Sequence, residues 1–252
     1  MLRVESLAKR FGGVRAVQDV SFEVAPGTVH SIIGPNGAGK TTLLNLLCGI
    51  ERPDLGRIFF DGGALDGKPQ HRFAAAGIGR TFQNLQIFFN MSAAENVMAG
   101  GWLHQACGLA AAMLRPPGLA RAERSAREEA RALLEFVGLA RWADAPSDAM
   151  PYGALKRLEI ARALAARPKL ILLDEPAAGL NPTETGEIDQ LIRRIAERGI
   201  TVVLVEHNMK LVMEVSQRVL VLHEGRKLAE GDPRRVSEDP AVVEAYLGVA
   251  HA

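Results

Sequence analysis

Cysteine is nearly missing from this chain: two residues in 252, Cys48 and Cys107, are too few for a disulfide framework, and both read as reduced structural thiols. A strong charge of either sign is missing too. The formal net charge of +1 excludes the basic field of a typical nucleic-acid binder. No run approaches the roughly 18 apolar residues of a spanning helix. The start, Met1-Leu2-Arg3-Val4-Glu5, lacks the charged-then-apolar order of an export signal. The expectation is a cytosolic chain that reaches a membrane only through partners. What is present is an ordinary globular composition, 48% hydrophobic and 23% charged with a mean hydropathy of +0.04. A chain of this length forms one large domain or two small ones and buries roughly three quarters of its unfolded surface.

The most informative stretch is Gly34-Pro35-Asn36-Gly37-Ala38-Gly39-Lys40-Thr41, followed by Thr42 and preceded by the apolar positions Val29, Ile32 and Ile33. Its spacing, G-x-x-x-x-G-K-T between a strand and a helix, has a physical reason. Glycines let the backbone curl until several N–H groups converge on a phosphate chain. Lys40 is placed to put a point charge on the β and γ phosphates, and the Thr41 hydroxyl to hold a Mg²⁺ that bridges them. Leu43, Leu44, Leu46 and Leu47 continue the helix, whose N-terminus carries about half a positive charge toward the same phosphates.

A second specific signal is Lys169-Leu170-Ile171-Leu172-Leu173-Asp174-Glu175-Pro176. A continuous apolar run suits a strand buried on both faces, and it ends in two acids. Asp174 is expected to hold Mg²⁺ through its water shell, and Glu175 to orient or deprotonate an attacking water. A parallel run, Thr201 to Glu206, ends at His207, which is either a structural histidine or a hydrogen-bond donor to the γ-phosphate. Phe11, between Arg10 and Gly12-Gly13, is either strand-end core or an exposed ring that stacks on a base, an interaction worth roughly 1–3 kcal/mol. Gln83 follows the short strand expected over 77–82 and is either a solvated loop residue or a ligand to the metal or the water. At Met150-Pro151-Tyr152-Gly153-Ala154 a turn enters a helix whose first N–H groups can face an anion.

Alternating apolar positions from Val4 to Val24, broken at Gly12-Gly13 and closed by Pro26-Gly27, predict antiparallel strands ahead of the glycine loop. Gly56 to Gly62 reads as a strand and turn followed by a polar loop through Lys68-Pro69. Leu85, Ile87, Phe88, Phe89 and Met91 form an apolar cluster that is either core or a docking surface. Glu95 opens a helix, the stretch from about Trp102 to Pro117 is weakly patterned, and Leu119 to Val137 is a charged helix closed by Gly138. Further helices are expected from Thr183 to Arg198, with a Thr cap, from Lys210 to Val215, and around Val242 to Leu247.

In this order the glycine loop, Gln83, Tyr152-Gly153, Asp174-Glu175 and His207 make the chain, from Leu2 to about Gly248, resemble the ATP-binding subunits of ABC transporters. The resemblance implies an α/β fold: a P-loop NTPase (RecA-like) core with an N-terminal antiparallel β subdomain and an inserted α-helical subdomain. Residues 1–248 would form one ATPase domain, with 1–83 and 167–248 as the catalytic core, 84–166 as the helical subdomain and 249–252 as a tail. It implies ATP and Mg²⁺ as ligands, with nucleotide contacts at Phe11, Gly34, Pro35, Asn36, Gly37, Ala38, Gly39, Lys40, Thr41, Thr42, Gln83, Tyr152, Gly153 and Asp174. Metal contacts fall to Thr41, Gln83 and Asp174, and hydrolysis to Glu175, His207, Gln83 and Lys40.

Gly79-Arg80-Thr81-Phe82-Gln83, Tyr152-Gly153, Ala177 to Pro182, Glu206-His207-Asn208-Met209 and Ala245-Tyr246-Leu247-Gly248 look like the branch that imports branched-chain amino acids. Relatives with this pattern also carry urea, amides or carboxylates. Non-transport ATPases and nucleotide-dependent regulators share the wider fold. The implied partners are a second, different ATPase subunit, two transmembrane permease subunits and, indirectly, a periplasmic or extracellular solute-binding protein, with no nucleic acid. The implied location is the cytoplasmic side of the plasma membrane. One departure stands out: Pro151 occupies the place of the family's signature serine and lacks a backbone N–H. Two unlike nucleotide sites, one slow, are the expectation for the pair.

Overall fold

The computed structural model describes residues 1–102 and 117–247. Cys107, most of the weakly patterned stretch and the tail at 249–252 lie outside the described residues. The chain divides into two compact units, Met1–Arg80 with Lys169–Ala252, and Thr81–Pro168.

The first unit contains two sheets. In one, β1 (Leu2–Phe11) pairs antiparallel with β2 (Val14–Val24) and with β4 (Leu55–Phe60), which carries the short β5 (Gly63–Ala64) at the edge. In the other, β10 (Arg226–Gly231), β9 (Arg218–His223), β3 (Val29–Ile33), β8 (Thr201–Val205), β7 (Leu170–Asp174) and β6 (Ile78–Arg80) lie side by side. All neighbours in that sheet are parallel except the β9/β10 hairpin. Every residue of β3, β7 and β8 is buried, which is why β7 and β8 read as near-continuous apolar runs rather than alternating ones, while β3 holds the buried polar pair His30 and Ser31 between its apolar residues. Their register sets Ile32 and Asp174 beside Val205, so the glycine loop, the two acids and His207 all leave from the carboxyl ends of adjacent strands.

The helix after the glycine loop, α1 (Lys40–Leu47), buries Leu43, Leu44, Leu46 and Leu47. The polar stretch at Lys68-Pro69 runs into α2 (Gln70–Ala76), where Phe73 is the buried residue. One apolar anchor is too little for a helical period to show in sequence. The strand expected through Phe82 ends at Arg80, because the Phe82 N–H donates to the Glu159 carboxylate at 3.1 Å instead of to a ladder partner.

The second unit holds α3 (Ala93–Gly100), α4 (Pro117–Phe136) and α5 (Tyr152–Ala165). Ser92 and Glu95 close a capping box on α3. Gly100 is where α3 meets α5: a Cβ there would stand 2.1 Å from the Arg162 carbonyl oxygen. The fully buried Asn96 amide donates to the Phe88 and Ser92 carbonyls and to Ser147 Oγ and accepts from the Phe88 N–H, so every polar atom is satisfied. That network fixes the chain at Phe88 while leaving the Phe88 and Phe89 rings about half exposed, at 47% and 49%; of the same apolar cluster, Ile87 is core.

Back in the first unit, α6 (Pro182–Glu197) begins one residue before the expected Thr. Asn181, not Thr183, is the cap: its side chain accepts from the Glu184 N–H at 3.0 Å and Glu184 returns the bond at 3.1 Å. Pro182 fits the first helical position because no N–H is needed there. Three shorter helices follow, α7 (Met209–Val215), α8 (Pro233–Ser237) and α9 (Pro240–Leu247).

His30, in the middle of β3, is buried against the Phe22 ring, with centroids 5.7 Å apart. Burial pushes its pKa down to about 4, with Glu230 opposing and Arg218 reinforcing the shift. The unfolded chain therefore binds more protons here between about pH 6.5 and 4, and stability falls as pH falls through that window, by about 1.4 kcal/mol per unit. Urea midpoints across this range should show that slope, and His30→Met should lose it while keeping the other acid-sensitive contributions.

Candidate functional site

Three glycines of the loop take positive φ: Gly34 at 152°, Gly37 at 78° and Gly39 at 98°. Two of them also have no room for a side chain. A Cβ on Gly34 would lie 2.1 Å from the Leu222 carbonyl oxygen, and one on Gly39 would lie 2.2 Å from that of Ala16. At Gly37 nothing stands within 4 Å, so this position faces open space. Lys40 is buried, and its Nζ donates to the Gly34 carbonyl at 2.7 Å and the Pro35 carbonyl at 2.9 Å. Burial lowers its pKa, and the charges of Glu175 and Asp174 raise it, so one ammonium and two carboxylates converge on the loop. Thr41 is exposed on the first turn of α1 and Thr42 is half-buried.

Asp174, 2% exposed, ends β7 and pairs with Arg80 at 3.0 Å. The same guanidinium donates to Asn45 Oδ1 at 2.6 Å and approaches Cys48 Sγ at 3.1 Å, tying β6 and β7 to α1. Glu175 takes a left-handed φ of 49°, uncommon for a non-glycine residue, while its N–H still donates to the Val205 carbonyl at 2.9 Å. That turn brings its Oε1 to 2.6 Å from His207 Nε2. The sequence expectation of acid and histidine at neighbouring strand ends thus becomes a direct contact. Phe11 is 46% exposed at the tip of the β1/β2 hairpin, with Lys9 Nζ 5.2 Å from its ring centre, so it is not strand-end core.

The second unit carries the remaining candidates. The carbonyl of Gln83 accepts from Lys156 Nζ at 3.2 Å. Tyr152 is exposed and Gly153 buried at the start of α5, where Pro151 is the cap residue and makes no side-chain cap bond.

Asn45 lies in no sequence motif, and Arg80, Tyr246 and Glu206 entered only within the stretches that carry the family resemblance, with no role of their own. Arg80 and Asn45 carry no pattern of their own. The Tyr246 hydroxyl hydrogen-bonds the backbone at Gly34, and burial pushes its pKa up to about 12. Glu206 repeats the signal of Asp174, an acid closing an apolar strand.

The residues present fit a polyphosphate: a glycine cradle closed against added side chains, a lysine at its mouth and a helix N-terminus behind it. They also fit Mg²⁺. Thr41 and Asp174 offer hard oxygen donors, and among the described residues no group of three His, Cys, Asp or Glu forms a closed metal cage. An ion bound through few protein oxygens, with water and phosphate as its other ligands, matches that set.

Fold and loop together define a nucleotide-binding cassette of the P-loop type. The profile of the family described as ABC transporter matches residues 17–178, and that described as Branched-chain amino acid ATP-binding cassette transporter matches residues 226–252. The chain belongs to the ABC transporter family, as one of its ATP-binding proteins, and is an ATPase coupled to transport.

It is 43% identical to the high-affinity branched-chain amino acid transport ATP-binding protein BraF of Pseudomonas aeruginosa, over 99% of this chain and 98% of that one. Identity to LivG of Escherichia coli, a protein of the same description, is 41% over the same shares. The lipopolysaccharide export system ATP-binding protein LptB of Acidithiobacillus ferridurans is 38% identical over 98% of this chain and 97% of its own. Among solved structures, a nucleotide-free ATP-binding cassette from an ABC transporter superposes with a TM-score of 0.85 at 33% identity, covering 98% of both chains.

Arg80→Met would leave the Asp174 carboxylate buried without its cation and should cost about 3 kcal/mol in urea unfolding, while Asn45→Ala should cost about 1 kcal/mol. Equal small losses for both would show that the ion pair does not hold this corner.

Proposed function

We propose that this chain is the ATP-hydrolysing subunit of an importer for branched-chain amino acids. The cargo is supported by the near-full-length likeness to BraF and LivG and by the profile match at residues 226–252. The likeness to LptB favours leaving cargo choice to other subunits, since that relative is described as serving lipopolysaccharide export. The partners in this reading are a second, different ATPase subunit, two permease subunits and a solute-binding protein outside the cell. Among the described residues no helix is long and apolar enough to cross a membrane. In this reading the chain sits peripherally on the cytoplasmic face, held by the permease.

The contact of Glu175 Oε1 with His207 Nε2 at 2.6 Å, beside a lysine that feels both acids, carries the hydrolytic part of the proposal. Lys40 and the first N–H groups of α1 hold the β and γ phosphates of ATP, and the exposed Phe11 ring stacks on the base. Thr41 and Asp174 would hold Mg²⁺, with Gln83 as a further proposed ligand, and the bound ion would supply positive charge to the phosphate oxygens. Glu175 accepts a proton from a water whose oxygen attacks the γ-phosphorus. The bond from that phosphorus to the bridging oxygen breaks, and ADP leaves with the electron pair. His207 holds Glu175 and the γ-phosphate in one geometry. Gln83 and the Phe88–Phe89 rings report the nucleotide state to the permease. Tyr152 and Gly153 complete a site on the second ATPase subunit, which Pro151 makes the slower of the two.

In the reconstituted complex, Glu175→Gln should lower single-turnover ATP hydrolysis by at least about 100-fold while ATP still binds. Turnover left largely intact would remove Glu175 from the role. Stimulation of that hydrolysis by leucine-loaded binding protein, and not by urea or short amides, tests the cargo. Ala in place of both Phe88 and Phe89 should abolish uptake with ATP binding unchanged, and normal uptake would refute the docking role.

A further inference from the structure

Glu206 is 4% exposed and stands between the last residue of β8 and His207. Burying a carboxylate is costly unless other donors replace its water. Here backbone N–H groups do so, from two different loops. Oε1 accepts from the Ala177 N–H at 2.9 Å, in the loop that follows Glu175. Oε2 accepts from the His207 N–H at 3.0 Å and from the Asn208 N–H at 3.4 Å. The side chains of Glu175 and His207 themselves meet at 2.6 Å. The two residues are therefore joined twice, once directly and once through the backbones that carry them, with Glu206 as the link.

We infer that Glu206 is a positioning residue whose two oxygens hold the loop after Glu175 and the loop bearing His207 in one fixed relation, and so set the contact between those side chains. A glutamine of the same shape cannot replace it. Its single oxygen accepts from one loop, and its NH₂ group, a donor, then faces the N–H of the other. An aspartate, one methylene shorter, keeps both acceptors beside His207 and Asn208 and gives up Ala177. The position also gives Ala177 and Ala178 a route to hydrolysis: displacement of that loop is displacement of His207. The catalytic consequence rests on the proposed hydrolytic roles of Glu175 and His207, whereas the mechanical one does not.

The test uses the full chain and its assembled complex. In Glu206→Gln, amide hydrogen exchange resolved by NMR should quicken at least about tenfold at Ala177 or His207, with ATP affinity of the isolated chain within about twofold of the parent. In the complex, kcat should fall at least about tenfold with KM for ATP unchanged, a split that general loss of fold does not produce. In Glu206→Asp, exchange should quicken at Ala177 and stay slow at His207, which carries the test if the glutamine variant does not fold. Unchanged exchange at both amides, or quickened exchange with unchanged kcat, would overturn the inference. If the parent complex hydrolyses no ATP, the functional proposal fails by itself and the exchange pattern still decides whether Glu206 joins the two loops.

Discussion

A polyphosphate can be gripped by backbone N–H groups only where the chain curls tightly and nothing projects into the curl, and the rest of the first unit is arranged to meet that constraint. Gly34 lies against the Leu222 carbonyl of β9 and Gly39 against the Ala16 carbonyl of β2, so both sheets brace the loop. The β9/β10 turn closes the brace: the Gly225 N–H donates to the Ala38 carbonyl at 3.1 Å, and the Gly225 carbonyl accepts from the Gln18 N–H at 2.7 Å. The antiparallel sheet therefore does more than present Phe11. It is one wall of the phosphate loop, and Tyr246, from the last helix, touches the loop's first glycine.

Around that loop, buried charge is spent on geometry rather than on stability. Arg80, with Asn45 and Cys48, ties the buried Asp174 carboxylate to the helix that follows the loop. In the second unit, Glu159 and Lys156 of α5 are both buried, and both bond to the main chain, at Phe82 and Gln83 respectively. Buried ion pairs and carboxylates often contribute little net stability against apolar replacements, but they tolerate only one arrangement of their partners.

Much of this was legible in the amino-acid order. The continuous apolar runs ending in Asp174 and His207, the glycine spacing before Lys40 and the hairpin at Gly12-Gly13 are local patterns, and the strands, loop and first helix appear where those patterns place them. The local signals failed where one residue's choice depended on a distant one. Phe82 left the sheet because Glu159, 77 residues away, took its N–H. The α6 cap is a different case: Asn181, Pro182 and Glu184 form a local capping signal that the expected Thr183 cap passed over. The helix at Gln70–Ala76 had a single buried side chain with which to announce itself.

The sequence by itself determined that a nucleoside triphosphate is bound and which residue types are offered to it, because glycine at fixed spacing, lysine, threonine and strand-end acids match requirements of phosphate and metal chemistry that act over a few neighbouring residues. Only the tertiary structure decided how those residues face one another. The left-handed turn at Glu175, its contact with His207, the Arg80 clamp on Asp174 and the bridge through Glu206 each join segments that are far apart in the chain. Hydrogen bonds between such segments depend on strand order and register, which no local pattern encodes.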